Sequence, residues 1–228
     1  MSDALSIGKP GDALYDAVAT IYVNFYLSEL RIIDLCARWI PQRTITREKY
    51  YLVHHANDEV RHAELFKKAF EKLGGTIDEA AISRYRVKDM DDRFDRLFQS
   101  GDEIEVLIGL NMYAEGVLAM MELQQLGKNA PGLFPDFLQI AQDEKTHLAF
   151  GAKVLARLLD EQPHERERAT RIARGYREHL DSYLSSTVSD MIDFGVSINA
   201  LDDDYRKKAV DLYEDIMERV AIDVRLVH

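Results

Sequence analysis

Residues 58–62 read Asp-Glu-Val-Arg-His, and residues 143–147 read Asp-Glu-Lys-Thr-His. The two stretches share an aspartate, a glutamate and a histidine at the same spacing. In each, the glutamate and the histidine are three residues apart, which places their side chains about 60° apart around a helix, where both can reach one point. The two copies predict helices that each present a Glu-x-x-His pair.

A single glutamate precedes each pair at almost the same distance. Glu29 and Glu59 are 30 positions apart, and Glu115 and Glu144 are 29 positions apart. The pattern Glu, Glu-x-x-His therefore occurs twice along the chain. We interpret it as an internal duplication of a site, with the two halves related by an approximate two-fold axis.

Sparse helix-breaking residues divide the 228-residue chain into long helices. The sequence has 5 prolines and 12 glycines, and Pro41, Gly74 and Pro163 each follow a long segment of helical periodicity. Residues 76–100 form a polar link, with a turn or two of helix expected around residues 78–83 and 90–98. The predicted helices cover residues 12–39, 46–73, 101–126, 135–160, 164–194 and 203–225.

Short links join the first two helices and the next two, and the long link crosses over between these pairs. This order predicts an all-α fold in which a four-helix bundle has a long crossover between helices 2 and 3, with two additional C-terminal helices. We expect a single domain over residues 1–228. Its bundle core would cover residues 12–160, and its C-terminal helices residues 164–226.

Each bundle helix has an ionisable side chain in the middle of its apolar seam, read at a repeat of 3.5 residues. Glu29, for example, lies between Phe25 and Ile32. A buried, unpaired carboxylate is costly, and four facing carboxylates would repel one another. Two divalent cations remove this conflict. The predicted metal ligands are Glu29, Glu59, His62, Glu115, Glu144 and His147.

We expect one terminal glutamate and one histidine for each metal ion. Glu29 and Glu115 are the predicted terminal ligands, and Glu59 and Glu144 the predicted bridges. The aspartate before each pair has a further predicted role, because a ligating histidine usually donates its second ring N–H to a carboxylate. Asp58 and Asp143 would each hold the histidine of the opposite half; the alternative is that they are ordinary solvated acids.

With this pattern the sequence resembles the ferritin-like diiron-carboxylate superfamily over about residues 12–160. The Asp-Glu-x-Arg-His form of residues 58–62 resembles bacterial multicomponent monooxygenases and acyl-carrier desaturases. The stretch Glu115-Gly-Val-Leu-Ala is similar to ribonucleotide reductase small subunits and their ligand-binding oxidase relatives. Chain length and ligand spacing are similar to those of aldehyde-deformylating oxygenases, although the flanking residues match poorly. Phe66 occupies the place of the reductase radical tyrosine, which argues against a radical-storing subunit.

The resemblance implies a ferritin-like fold and two iron ions, although a Mn/Fe or Mn/Mn pair also fits the ligand types. It implies an O2-dependent oxygenase or oxidase acting on a small or fatty organic substrate. Electrons would come from a ferredoxin or a flavin reductase, because the sequence has no other cofactor motif. The alternatives are a ferroxidase or iron-handling protein and a peroxide-reducing protein. We expect a homodimer, since the C-terminal helices argue against a ferritin cage.

Two seam residues are left open by the pattern. His55 precedes Glu59 by one helical turn and is either an additional ligand or a core neighbour. Glu122 follows Glu115 by seven residues and is either a carboxylate near the site or a buried acid paired with an arginine.

Composition excludes several other classes of protein. The formal net charge of -11 argues against binding to nucleic acid or to an anionic membrane. A single cysteine, Cys36, excludes a disulfide framework and a Cys-x-x-Cys centre. The polar first twelve residues do not resemble a secretory signal, and we find no run of 18 apolar residues. We therefore expect a cytoplasmic protein.

Overall fold

The computed structural model describes residues 7–225, in which helices joined by turns and loops are present and no strand is found. Short 3₁₀ turns at Ile40–Gln42 and Pro163–Glu165 precede the second and the seventh helix. We number nine helices in chain order: α1 Ala13–Trp39, α2 Thr46–Lys72, α3 Glu79–Tyr85, α4 Lys88–Ser100, α5 Glu103–Asn129, α6 Phe137–Glu161, α7 Arg166–Ser182 with its extension Tyr183–Thr187, α8 Ser189–Ser197 and α9 Tyr205–Arg219.

The all-α prediction is confirmed, and the four bundle helices lie within three residues of their predicted bounds. The described residues group into two compact units. The first contains the described residues up to Gln99, together with Pro131–Asp136. The second contains Ser100–Ala130 and the described residues from Phe137 onward. The predicted C-terminal limit, residue 226, lies outside the described residues.

An aromatic core joins α1 to α2 in the first unit. Tyr22 is fully buried, and its ring stacks on Phe70 at a centroid distance of 5.5 Å. Its hydroxyl donates a hydrogen bond to the carbonyl oxygen of Leu133 at 2.6 Å. Phe25 and Phe66 pack with ring centroids 5.0 Å apart. These contacts align the two helices along the seam that carries Glu29 and Glu59.

The crossover is more helical than predicted, because α3 and α4 occupy most of it. The Asp78 carboxylate caps α3 by accepting a hydrogen bond from the Ala81 N–H at 2.8 Å. The Tyr85 hydroxyl donates to Asp16 of α1 at 2.6 Å. The side chain of Asn24 donates to the Tyr85 carbonyl and accepts from the Val87 N–H. Contacts with α1 therefore stabilise the C-terminal end of α3 and the turn that leads into α4.

The second unit packs α5 against α6 and α9, and α7 also contacts α9. The Tyr213 hydroxyl of α9 donates to the Ala173 carbonyl of α7 at 2.9 Å. The buried Arg177 guanidinium donates to Glu214 at 2.9 Å and also pairs with Asp181. This ion-paired contact fixes α7 on α9, so the predicted C-terminal helices are part of the packed unit.

The middle of α5, Leu107–Ala119, is a π-helix of 13 residues. A π-helix is rare and is found mostly as a single turn, often at a functional site. All residues from Leu107 to Leu118 are buried. The sequence therefore lacks the alternation of buried and exposed positions from which a change in helical repeat could be predicted. The regular repeat expected for this helix therefore holds only approximately around Glu115.

The C-terminal segment is divided further than predicted. The expected helix over residues 164–194 ends its regular part at Ser182, continues as a π turn to Thr187, and restarts at Ser189. Ser185 and Ser186 donate side-chain hydrogen bonds to backbone carbonyls one turn earlier. Such bonds compete with the regular helical ladder.

Within residues 7–225, one helix has the length and composition of a membrane span. It is Glu103–Asn129, with a mean hydropathy of 1.4 over its most apolar window. However, 89% of that window is buried inside the protein. Packing in a helical core accounts for its apolar character.

Candidate metal centre

The six predicted ligands are all removed from solvent. Their exposed fractions are 4% or less, which is unusual for glutamates. Phe25 and Ile32, the seam neighbours of Glu29 on α1, are buried as well. The buried carboxylates and imidazoles are Glu29, Glu59, His62, Glu115, Glu144 and His147.

In the first unit, Glu59 lies between two histidines of its own helix. The Nδ1 atom of His62 lies 3.2 Å from Oε2 of Glu59, and the Nε2 atom of His55 lies 3.0 Å from Oε1. Burial raises the pKa of Glu59, but hydrogen bonds from Glu29 and from both histidines outweigh it and hold the pKa well below its usual value. These contacts favour the ionised form of Glu59, which is the form that binds metal ions.

In the second unit, α5 and α6 present the matching half. The Nδ1 atom of His147 lies 3.2 Å from Oε2 of Glu144, the same arrangement as His62 with Glu59. The Asn111 side chain donates a hydrogen bond to Oε2 of Glu115 at 2.7 Å. Asn111 thus orients the Glu115 carboxylate, which lies one helical turn further along α5. The residue pattern alone did not predict this role for Asn111.

Gly151 makes room for this hydrogen bond. A Cβ atom at Gly151 would lie 2.4 Å from Cβ and 2.7 Å from Cγ of Asn111, which is closer than real side chains approach. The absence of a side chain on α6 therefore lets Asn111 of α5 reach Glu115. A glycine at an inward seam position was the available sequence signal for this close approach.

The buried donors form two groups that could each hold a metal ion. The first group is Glu29, Glu59, His62 and Glu144. The second group is His55, Glu59, Glu115 and His147. In each group, one ligand atom per residue lies within 4.8 Å of the others. Glu59 belongs to both groups, as a bridge would, whereas Glu144 belongs only to the first.

Carboxylate and imidazole donors suit iron and manganese, whereas soft metals prefer thiolates. The described part of the chain has one cysteine, Cys36, which lies on the seam of α1. Two buried groups of hard oxygen and imidazole nitrogen donors fit a pair of Fe or Mn ions. When bound, such a pair can exchange electrons with O2.

The aspartates before the two pairs lie at the edge of the site. Asp58 accepts a hydrogen bond from Arg61 Nη2 at 3.3 Å, and the same nitrogen lies 3.3 Å from His62 Nε2. Arg61 thus stands between Asp58 and the histidine of the same half. Asp143 is partly exposed. The predicted support of the opposite histidine by each aspartate stays a prediction.

Glu122 lies beyond the two donor groups, near the C-terminal end of α5. Burial raises the pKa of Glu122 to about 7. The pKa of the Tyr205 phenol is raised mainly by its own burial, and also by the charge of Glu122. Among the described residues, no arginine pairs with Glu122, so the alternative of a buried acid paired with an arginine finds no support there.

We predict that Glu122→Gln stabilises the protein above neutral pH. The carboxyl group has a pKa near 4.5 when unfolded and about 7 when folded, so folding becomes less favourable as the pH rises through this window. The variant should gain roughly 1–3 kcal/mol at pH 8 and little at pH 4.5. Urea unfolding at both pH values measures this. An equal effect at both would show that the Glu122 charge does not destabilise the fold.

The protein resembles known proteins in its structure, but its sequence gives no match. The sequence matches no protein-family model and no curated protein. One solved structure with a similar fold is a variant of an R2-like ligand-binding oxidase with an aerobically reconstituted Mn/Fe cofactor. It is 21% identical, with a TM-score of 0.64 over 92% of this chain and 80% of that chain. An anaerobically reconstituted variant is 20% identical with a TM-score of 0.66.

The chain has the ferritin-like fold. At this identity the likeness to the R2-like oxidases establishes the fold and no more. The ferritin-like fold agrees with the two Glu, Glu-x-x-His repeats. In this fold, dimetal sites are built from inward-facing glutamates on two helices and Glu-x-x-His pairs on the other two.

Proposed function

We propose that this protein is a dimetal oxidoreductase that uses O2 to oxidise a small or fatty organic substrate. The observation that carries this proposal is the pair of buried carboxylate and imidazole groups that share Glu59. The structurally similar R2-like oxidases, which were reconstituted with a Mn/Fe cofactor, support a redox role. The ligands would be the six predicted residues, with two Fe ions or a Mn/Fe pair.

In this function, the side chains of the protein would bind the metal ions, orient one ligand and exclude water. The buried glutamates supply negative charge that balances the charge of the metal ions, and the histidines complete the ligand shell. Asn111 holds Glu115 in one orientation. The buried apolar side chains next to the ligands would exclude water, which strengthens electrostatic interactions inside the site.

An organic substrate is favoured by the apolar surroundings of the ligands. Phe25 is one turn before Glu29 on α1, and Phe66 is one turn after His62 on α2. Both rings are buried and contact each other. In the second unit, Met112 and Met121 are buried near Glu115 in the sequence, and methionine adapts readily to irregular apolar shapes. A fatty aldehyde, acid or amine fits such surroundings.

The test begins with protein purified without oxygen and loaded with ferrous iron. We expect two irons per chain and an oxygen-dependent absorption band. The band should decay faster when a fatty aldehyde, acid or amine is present, and the compound that accelerates it identifies the substrate class. Rapid formation of ferric mineral that is indifferent to organic compounds would instead indicate a ferroxidase.

Three further features belong to this proposal. The electron donor would be a ferredoxin or a flavin reductase, which reduces the metal ions between turnovers. The protein would be a homodimer in the cytoplasm. Size-exclusion chromatography tests the oligomeric state, since a large cage would favour iron storage over oxidation of an organic compound.

A further inference from the structure

His55 and His62 flank one carboxylate on the same helix. His55 precedes Glu59 by four residues and His62 follows it by three, so all three side chains lie on one face of α2. Nε2 of His55 lies 3.0 Å from Oε1 of Glu59, and Nδ1 of His62 lies 3.2 Å from Oε2. Each oxygen of Glu59 therefore faces a different imidazole nitrogen.

The other half of the site has no such second histidine. Four residues before Glu144, the equivalent position on α6 is Ile140, which is fully buried and apolar. The duplication that relates the six predicted ligands does not extend to this position. The site therefore has three imidazoles, two on α2 and one on α6.

The position of His55 matches that of a ligand. Two donors at about 2.1 Å from one ion and at right angles to each other are about 3.0 Å apart. The separation of His55 Nε2 from Glu59 Oε1 is 3.0 Å, comparable to 3.2 Å in the two Glu-x-x-His pairs. His55 is 1% exposed, and its ring packs edge-on against Tyr51 at 5.6 Å.

We propose that His55 is a third histidine ligand, which makes the two metal positions chemically unequal; this rests on the proposed dimetal function. One ion would have His55, His147, Glu59 and Glu115 as ligands. The other would have a single imidazole, His62, with Glu29, Glu59 and Glu144. Imidazole favours metals later in the first row, whereas a carboxylate-rich position suits manganese. The metal site that contains His55 would therefore bind iron in preference to manganese.

The experiment uses cobalt(II), whose visible absorption reports its ligands, in the metal-free full-length protein. The variant His55→Gln keeps a side-chain N–H that can donate to Glu59 but removes the imidazole. The matched control is His54→Gln, since His54 is the adjacent residue and is exposed. Equilibrium dialysis gives the number of ions per chain and their affinities.

We expect the unmodified protein and His54→Gln to bind two cobalt ions per chain. His55→Gln should bind one of them at least about 10–100-fold more weakly, with a changed absorption for that ion. Two ions bound by His55→Gln with unchanged affinity and absorption would overturn the proposal and leave His55 as a hydrogen-bond donor. Less than one ion bound by the unmodified protein would overturn the dimetal function itself.

A second measurement avoids substitution altogether. In the cobalt-loaded protein, each coordinated imidazole gives one strongly shifted, exchangeable N–H proton in the NMR spectrum. Three such protons support ligation by His55. Two would contradict it while leaving the six-ligand centre intact.

Discussion

Glu59→Ala should abolish binding of both metal ions. Glu59 belongs to both groups of donors and is fully buried, so its removal takes a ligand from each ion at once. We expect the metal content after iron loading to fall from two ions per chain to nearly none, and the oxygen-dependent absorption to disappear. Element analysis after desalting measures the metal content.

The matched control for this substitution is Glu64→Ala on the same helix. The Glu64 carboxylate is 63% exposed and pairs with Lys68 at 2.7 Å. Its removal should leave the metal content unchanged, because Glu64 belongs to neither group of donors. Loss of this exposed ion pair should also change the stability of the fold little. Circular dichroism establishes that both variants remain helical. Two ions per chain in folded Glu59→Ala would contradict the ligand assignment.

Gly151→Ala should destabilise the fold and weaken metal binding together. The new Cβ atom would lie 2.4 Å from Cβ of Asn111, so α5 and α6 must separate or Asn111 must move. Overpacking of this kind costs about 1–3 kcal/mol, which lowers the Tm by about 2–10 °C. Displacement of Asn111 also removes the hydrogen bond that orients Glu115. We expect metal affinity to fall by about tenfold or more.

The control for this prediction is the same substitution at Gly175 of α7, where no atom lies within 4 Å of the added Cβ. Gly175→Ala should be neutral or stabilise by up to about 1 kcal/mol, because alanine favours a helix. Thermal unfolding and metal dialysis of both variants measure the difference. Equal effects at the two positions would refute the close packing at Gly151.

The residues of the site could be predicted because their pattern is local. The Glu-x-x-His spacing and the 3.5-residue seam are properties of a single helix, and each seam glutamate is buried as the seam predicts. The positions of α1, α2, α5 and α6 follow from prolines, glycines and apolar periodicity. The resemblance to ferritin-like proteins adds the expected arrangement of those helices.

The details around the ligands depend on contacts between distant residues. His55 could be named from the sequence, but its distance to Glu59 follows from side-chain conformations in a packed core. The contact of Asn111 with Gly151 joins residues on α5 and α6. The wide π turns of α5 have no sequence signal, since every residue from Leu107 to Leu118 is buried.

The sequence by itself determined that the chain is helical, which faces are buried, and which six residues are candidate metal ligands, because periodicity and ligand chemistry are encoded within each helix. The tertiary structure decided the full length of α3 and α4 in the crossover, the break at Val188, the orientation of Glu115 and the placement of His55 beside Glu59. These features arise from packing between segments that are far apart in the chain, and no local pattern specifies such contacts.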